Sequence, residues 1–268
     1  MNGLSKFIII LMACALFLTS QADAQNQRKP DLVIATPLAY PPFSSLDALG
    51  YVHGFSISFM QALCKEMNIY CLYYPMGFNE MFQAVANNEV DAAIGAISIL
   101  PEREKDYAFT VPFLATQINF LASTVNGKKL ITNITPKSIS GKSIALRMNV
   151  DRVDVRFYVR TLRDASDLKL KYYNEGSDLI EALVHHKVDL ALVDTAFANF
   201  WANQTQNIYI VGDPISINLG IGIMLNKERP ELLQKLNAAI LKFTVTNHFK
   251  EMLNTFFTPF SQKTVTQN

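Results

Sequence analysis

Short apolar stretches of strand length alternate with helical patterns along this sequence, and this alternation constrains the fold more than any other feature. The first unit predicts strands over 31–36, 69–74 and 90–99, separated by helices over 55–67 and 79–87. Strands that alternate with helices are typical of a parallel sheet whose faces are covered by helices. The first third of the chain is therefore predicted to be an α/β unit.

The middle of the chain repeats this pattern. The strands and helices predicted there cover 143–146, 150–162, 169–173, 177–185, 188–193 and 194–201. A strand over 217–225 and one or two helices within 230–253 follow. The strands over 117–123 and 217–225 flank the second unit, and we interpret them as two crossovers between the units.

This arrangement predicts an α/β protein of two Rossmann-like lobes joined by two crossover strands. Lobe I is expected to contain residues 25–116 and 217–260, lobe II residues 117–216, and a tail residues 261–268. In such a layout a ligand binds between the lobes, at the carboxyl ends of the strands, and hinge closure can enclose it.

Residues 1–24 have the features of a secretory signal peptide. Lys6 precedes an apolar stretch over 7–18, and the segment ends in Ala22-Asp23-Ala24, the small-x-small pattern that signal peptidase cleaves. A membrane anchor is an alternative, but this stretch is too short to cross a bilayer core of about 30 Å. Lipid anchoring at Cys14 stays open as a second alternative. We expect export to the periplasm.

The formal net charge of the 268-residue chain is +1, and no basic stripe interrupts this balance. Nucleic acid is therefore not an expected partner, because its recognition needs clustered positive charge.

Two cysteines, Cys64 and Cys71, remain once the signal peptide is removed. Export brings them to a compartment where disulfides persist, and a helix that ends near Met67 before a strand could bring their Cβ atoms within bonding reach. We expect a disulfide, with two buried free thiols as the alternative. Two cysteines without a nearby histidine do not form a metal site, so we predict neither a metal nor a cofactor.

Several stretches occur in the same order as in a known family. They are AYPPF at 39–43, QALCKEM at 61–67, NEVDAAIGAISILPEREKDYAFTVPF from Asn88, GKSIAL at 141–146, KVDLALVDTA at 187–196 and LGIGI at 219–223. In these stretches the chain resembles the polar amino-acid-binding proteins of ABC importers (solute-binding protein family 3), in particular arginine-binding and lysine/arginine/ornithine- or histidine-binding ones. The resemblance implies the type II periplasmic-binding-protein fold and a monomeric protein. It also implies a free amino acid as ligand and an ABC permease as partner.

Arg103 follows the predicted strand over 90–99, in the segment that begins at Ser98. A guanidinium can hold a carboxylate through two parallel hydrogen bonds, and the resemblance assigns Arg103 to the carboxylate of the amino acid. It also assigns Ser98 a hydroxyl and backbone contact, and Ala96 a backbone contact. The alternative for Arg103 is a surface ion pair with Glu102 or Glu104.

Asp194 closes the predicted strand over 188–193 and faces the same region between the lobes. The resemblance assigns this carboxylate to the α-ammonium group of the ligand. The alternative is a helix N-cap, a position that suits aspartate. Asp189, at the start of the same strand, is interpreted as structural.

Aromatic residues complete the predicted site. The resemblance implies that Tyr40 packs against the ligand side chain and that Phe78 lies on its other side. Two rings can sandwich an aliphatic stem, or a guanidinium by cation–π contact. Ordinary core packing is the alternative for both residues.

The sequence departs from the family pattern at two places. Asn149-Val150-Asp151 stands where the family has glycine-threonine-threonine; the side chain of Asp151 would repel a carboxylate, although its backbone N–H could donate. Pro37 stands where relatives that bind cationic side chains often have an acid. Arginine is nevertheless the ligand that the resemblance favours, with histidine, lysine, ornithine or an uncharged polar amino acid as alternatives.

Two other classes of function stay open. An enzyme on this fold, such as a cyclohexadienyl dehydratase, needs a general acid in the cleft, and Glu175 is the residue we can name for it. A stand-alone amino-acid sensor is the other alternative. We favour a binding protein without catalytic activity.

Overall fold

The computed structural model describes residues 29–147 and 155–257. Its strands are β1 (Leu32–Pro37), β2 (Ser45–Leu46), β3 (Val52–His53), β4 (Cys71–Met76), β5 (Ala92–Ala93), β6 (Tyr107–Phe109), β7 (Leu114–Ser123), β8 (Ser143–Arg147), β9 (Lys169–Tyr173), β10 (Leu190–Asp194), β11 (Ile208–Ile221) and β12 (Met224–Asn226). Its helices are α1 (Phe55–Glu66), α2 (Phe78–Ala86), α3 (Pro136–Ile139), α4 (Val155–Tyr158), α5 (Arg160–Asp164), α6 (Gly176–Val184), α7 (Thr195–Gln204), α8 (Pro230–Phe243) and α9 (Asn247–Phe257).

The first sheet has the strand order β4-β1-β5-β12-β6. Its three strands from the first third of the chain, β4, β1 and β5, run parallel, while β12 is antiparallel to both β5 and β6. Side chains of β1 alternate between two cores, because successive residues of a strand point to opposite faces. Ile34 packs in the same core as Phe59 of α1, and Ala35 in the same core as Phe82 of α2.

Aromatic rings join α1 to the two C-terminal helices. Phe59 is fully buried, and its ring centroid lies 4.4 Å from that of Phe113 and 5.7 Å from those of Phe243 and Phe249. The C-terminal segment therefore completes the core beneath the first sheet, far along the chain from the strands that it covers.

The second sheet has the order β11-β7-β10-β8-β9. Strands β10, β8 and β9 run parallel, whereas β7 is antiparallel to β10 and β11 is antiparallel to β7. The chain passes from the first sheet to the second between β6 and β7 and returns between β11 and β12. The predicted division into residues 25–116 with 217–260 and residues 117–216 stays a prediction.

Two predicted strands are interrupted in the structure. The strand expected over 90–99 is regular only at Ala92–Ala93 and adds an isolated bridge from Ser98 to Ile221, and the one expected over 217–225 is split into β11 and β12. The split falls at Gly222, where a Cβ atom would lie 3.0 Å from Ile99 and 3.2 Å from the carbonyl oxygen of Thr110. At this close approach the regular strand pairing stops, and isolated hydrogen bonds take its place. One of them runs from the Gly222 N–H to the Ile97 carbonyl oxygen at 3.2 Å.

The predicted disulfide is confirmed. Cys64, in the last turn of α1, is bonded to Cys71, the first residue of β4, with a Cα–Cα distance of 6.3 Å. The bond therefore ties α1 to the edge strand of the first sheet.

Within residues 29–147 and 155–257, no helix has the length and apolar character needed to cross a bilayer. The signal-peptide prediction for residues 1–24 and the alternative at Cys14 lie outside the described residues.

Candidate functional site

The carboxyl ends of the parallel strands of both sheets meet at one cavity. It is lined by Tyr40, Phe78, Ala96, Ser98, Leu100, Arg103, Ile118, Leu146, Arg147, Val155, Val159, Tyr172, Leu192, Val193, Asp194 and Ile217. Open α/β sheets bind ligands at this edge because loops of several strands converge there. The described structure thus brings together the predicted residues Tyr40, Phe78, Ala96, Ser98, Arg103 and Asp194. Asp151 and Asn149 lie outside the described residues, and the predicted contact of Asp151 stays a prediction.

Arg103 begins a short 3-10 turn after β5 and is only 5% exposed. Its Nη1 donates a hydrogen bond of 3.0 Å to the carbonyl oxygen of Ser98, and its guanidinium carbon lies 5.0 Å from the ring centroid of Phe82. These contacts fix a nearly buried positive charge at the wall of the cavity. Arg103 is therefore not at the surface, as its alternative role in a surface ion pair requires.

Asp194 ends β10 and precedes α7, but its side chain makes no capping hydrogen bond to that helix. Its Oδ2 instead accepts a hydrogen bond of 2.5 Å from the hydroxyl of Tyr40, which belongs to the loop after β1. Burial raises the pKa of Asp194 above its ordinary value, although the bond from Tyr40 and the charge of Arg147 act in the opposite direction. Asp194 is thus a cavity carboxylate that also joins the two sheets.

Tyr40 is buried against residues of the second sheet and of the helices that follow its strands. Its ring stacks on that of Phe197 in α7, with centroids 4.3 Å apart and planes 18° apart. Gly176 makes room for the pair, because a Cβ atom there would lie 2.7 Å from Tyr40 and 2.9 Å from Phe197. Burial and the neighbouring Asp194 carboxylate raise the pKa of the Tyr40 hydroxyl, so this group remains a donor.

Arg147 is a cavity residue that sequence reasoning missed. It is the last residue of β8, and its guanidinium carbon lies 3.9 Å from the ring centroid of Tyr40 and 3.6 Å from that of Phe78. Its Nη2 also donates a bond of 3.4 Å to the carbonyl oxygen of Ala96. The predicted strand ended one residue earlier, at Leu146. The signal that identified Asp194, a charged residue that ends a buried parallel strand, would also have identified Arg147.

Glu175 precedes α6 and lies near the start of α2, because a Cβ atom at Gly77 would lie 3.4 Å from Glu175 Oε1. Burial raises the pKa of Glu175, while the charge of Arg147 and the backbone N–H of Phe78 oppose this shift. In the described part of the chain, Glu175 is not among the residues that line the cavity.

Asp189 has the structural role that the sequence indicated. It accepts hydrogen bonds from the N–H and hydroxyl of Ser143, at 2.8 and 2.7 Å, and from Lys142 at 3.3 Å. Although burial alone would raise it, these bonds hold the pKa of Asp189 below its ordinary value. The residue ties β10 to β8 at the end of the sheet opposite the cavity.

Known proteins with similar sequences and folds are binding proteins. The chain is 27% identical over 260 residues to the putative ABC transporter arginine-binding protein 2 of Escherichia coli (strain K12), covering 94% of this chain and 99% of that protein. It is 26% identical to the L-cystine-binding protein TcyJ of the same strain, over 78% of this chain and 76% of that protein.

The fold has a solved counterpart in Legionella pneumophila. The crystal structure of an arginine 3rd transport system periplasmic binding protein from that organism superposes with a TM-score of 0.76 at 24% identity, over 85% of this chain and 100% of that one. This likeness confirms the predicted two-lobed α/β fold. Residues 32–259 match the family of bacterial extracellular solute-binding proteins, family 3. Because this match covers most of the sequence, the chain belongs to the bacterial extracellular solute-binding proteins, family 3.

Proposed function

We propose that this protein is an extracytoplasmic receptor that captures a free amino acid between its lobes and delivers it to an ABC permease. One observation carries the proposal: Arg103, beside the first sheet, and Asp194, at the end of a strand of the second, line the same cavity. The opposite charges of a zwitterionic amino acid match this pair. The names of the relatives support transport as the purpose of binding.

The site residues have separate roles in this proposal. Arg103 holds the α-carboxylate, because its fork of donors suits a carboxylate. Asp194 accepts from the α-ammonium group, and Ser98 and Ala96 supply hydroxyl and backbone contacts. The ligand side chain lies next to the rings of Tyr40 and Phe78 and to the Arg147 guanidinium between them. Arginine is the leading ligand of the proposal, since it recurs in the names of similar proteins.

The proposal includes a location and an oligomeric state. The protein acts as a monomer in the periplasm, after removal of residues 1–24. It binds its ligand without chemical change, which the names of its relatives as binding proteins support. Incubation with cyclohexadienyl acids should therefore yield no product.

The receptor role is tested by thermal unfolding in the presence of each common amino acid at millimolar concentration. Arginine is expected to raise the unfolding temperature most, because a ligand that binds only the folded state stabilises it. Arg103→Gln and Asp194→Asn should each lower the affinity by about 100-fold or more, since each leaves one ligand charge unpaired in the cleft. Arg160→Gln, at an exposed arginine of α5, is the matched control and should bind as the wild type does. Failure of every amino acid to raise the temperature would exclude the receptor role.

A further inference from the structure

The aromatic slot between Tyr40 and Phe78 holds a cation that belongs to the protein itself. The guanidinium carbon of Arg147 lies within 3.9 Å of both ring centroids, and its Nη2 reaches the Ala96 carbonyl at 3.4 Å. Both faces of the guanidinium are thus engaged by rings, which attract it through their quadrupoles. Arg147 ends β8 in the second sheet, whereas Tyr40 follows β1 and Phe78 begins α2, both beside the first sheet. The contact therefore crosses the cleft.

Positive and negative charges are unequal in number among the described residues that line the cavity. Among the described residues that line it, Arg103, Arg147 and Asp194 are charged, so positive charge exceeds negative. A zwitterionic amino acid matches Arg103 and Asp194 and leaves Arg147 beside its side chain. Glu175 offsets part of the charge of Arg147, but it is not among the described residues that line the cavity.

A cationic ligand side chain faces two obstacles in this slot. It must displace Arg147 to reach the rings, because a space that holds one guanidinium between two rings does not hold a second. If it stays beside Arg147 instead, two like charges meet in a partly desolvated site. An uncharged side chain of the same shape avoids the repulsion and leaves Arg147 in position.

We propose that Arg147 is a specificity-determining residue that lowers the affinity for cationic side chains relative to uncharged side chains of the same shape. This inference rests on the proposed function, since it concerns the amino acid bound in the same cleft. We expect this protein to bind arginine more weakly than a variant of the same cleft that lacks the Arg147 charge.

The test compares arginine with citrulline, its uncharged isostere, by calorimetric titration of the full chain. Arg147→Met removes the charge and keeps an unbranched side chain. The ratio of the two dissociation constants should shift towards arginine by about tenfold or more, which corresponds to about 1.4 kcal/mol. A substitution that changes lobe closure alters the binding of both ligands alike, so the ratio of their dissociation constants does not reflect it.

Two further variants complete the design. Arg147→Gln, which keeps a polar side chain, should shift the ratio in the same direction as Arg147→Met. Arg160→Met, at the exposed arginine of α5, should leave it within about threefold of the wild-type value. An unchanged ratio in both Arg147 variants overturns the inference while the receptor role stands. Absence of binding of either ligand to all proteins overturns the inference and arginine as the ligand, whereas the receptor role is overturned only if no common amino acid raises the unfolding temperature.

Discussion

The ligand-binding role that we propose for Asp194 comes with a cost in stability. Its carboxylate accepts the Tyr40 hydroxyl at 2.5 Å, and burial raises its pKa. A carboxyl whose pKa is higher in the folded than in the unfolded state stabilises the fold most in its protonated form. This contribution is present below the unfolded-state pKa and is lost as the pH rises through the folded-state pKa. Ionisation of Asp194 therefore weakens the unliganded fold.

Asp194→Asn should separate the two properties. The amide oxygen can still accept from Tyr40, while the buried charge is removed, so the ligand-free variant should unfold at a temperature no lower than the wild type at neutral pH. Any excess of the variant's unfolding temperature over that of the wild type should shrink as the pH is lowered, because wild-type Asp194 becomes protonated. Thermal scans across the acid range measure this. A variant that is much less stable than the wild type at neutral pH would contradict the reasoning.

Sequence reasoning named six of the sixteen residues that line the cavity, because strand ends can be recognised along the chain and the family resemblance added the aromatic residues. Arg103 and Asp194 follow buried strands, and both line the cavity. Arg147 ends β8 and carries the same strand-end signal, but its place between the rings of Tyr40 and Phe78 has no such signal. Whether Arg147 reaches Tyr40 and Phe78 depends on how two sheets face each other, and that distance has no signal in local periodicity.

The elements were predictable where burial is regular. The strand observed at Lys169–Tyr173 has the predicted bounds, and the helix Phe55–Glu66 ends one residue early. Prediction failed where pairing is irregular, as at Gly222, because contact with Ile99 and Thr110 is tertiary. It also missed β6 and the first part of β11, which pair with strands distant in sequence.

The disulfide should contribute to stability by closing a short loop between α1 and β4. Cys64 and Cys71 are 7 residues apart. A loop of this size restricts the unfolded chain enough to stabilise the fold by about 2–3 kcal/mol. Denaturant unfolding of the Cys64→Ala/Cys71→Ala protein should reveal a loss of that size. Reducing agent should destabilise the wild type and leave the variant unchanged; an equal effect on both would exclude the bond as the cause.

At the scale of the molecule, contacts from both sheets converge on the cleft. Tyr40 donates a hydrogen bond to Asp194 and stacks on Phe197, and Arg147 lies between Tyr40 and Phe78. A ligand favours the closed arrangement only through contacts that it makes better there than in an open one. An amino acid that pairs with both Arg103 and Asp194 meets this condition, because one charge lies beside each sheet.

The central claim is that both charges of a single amino acid are held at once. Calorimetric titration of the protein with arginine, agmatine and Nα-acetylarginine tests it most directly, because agmatine lacks the α-carboxylate and the acetylated compound lacks the α-ammonium charge. We expect arginine to bind and each analogue to bind about 100-fold more weakly or not at all, since each leaves Arg103 or Asp194 without its partner. Agmatine or Nα-acetylarginine binding as tightly as arginine would contradict the claim.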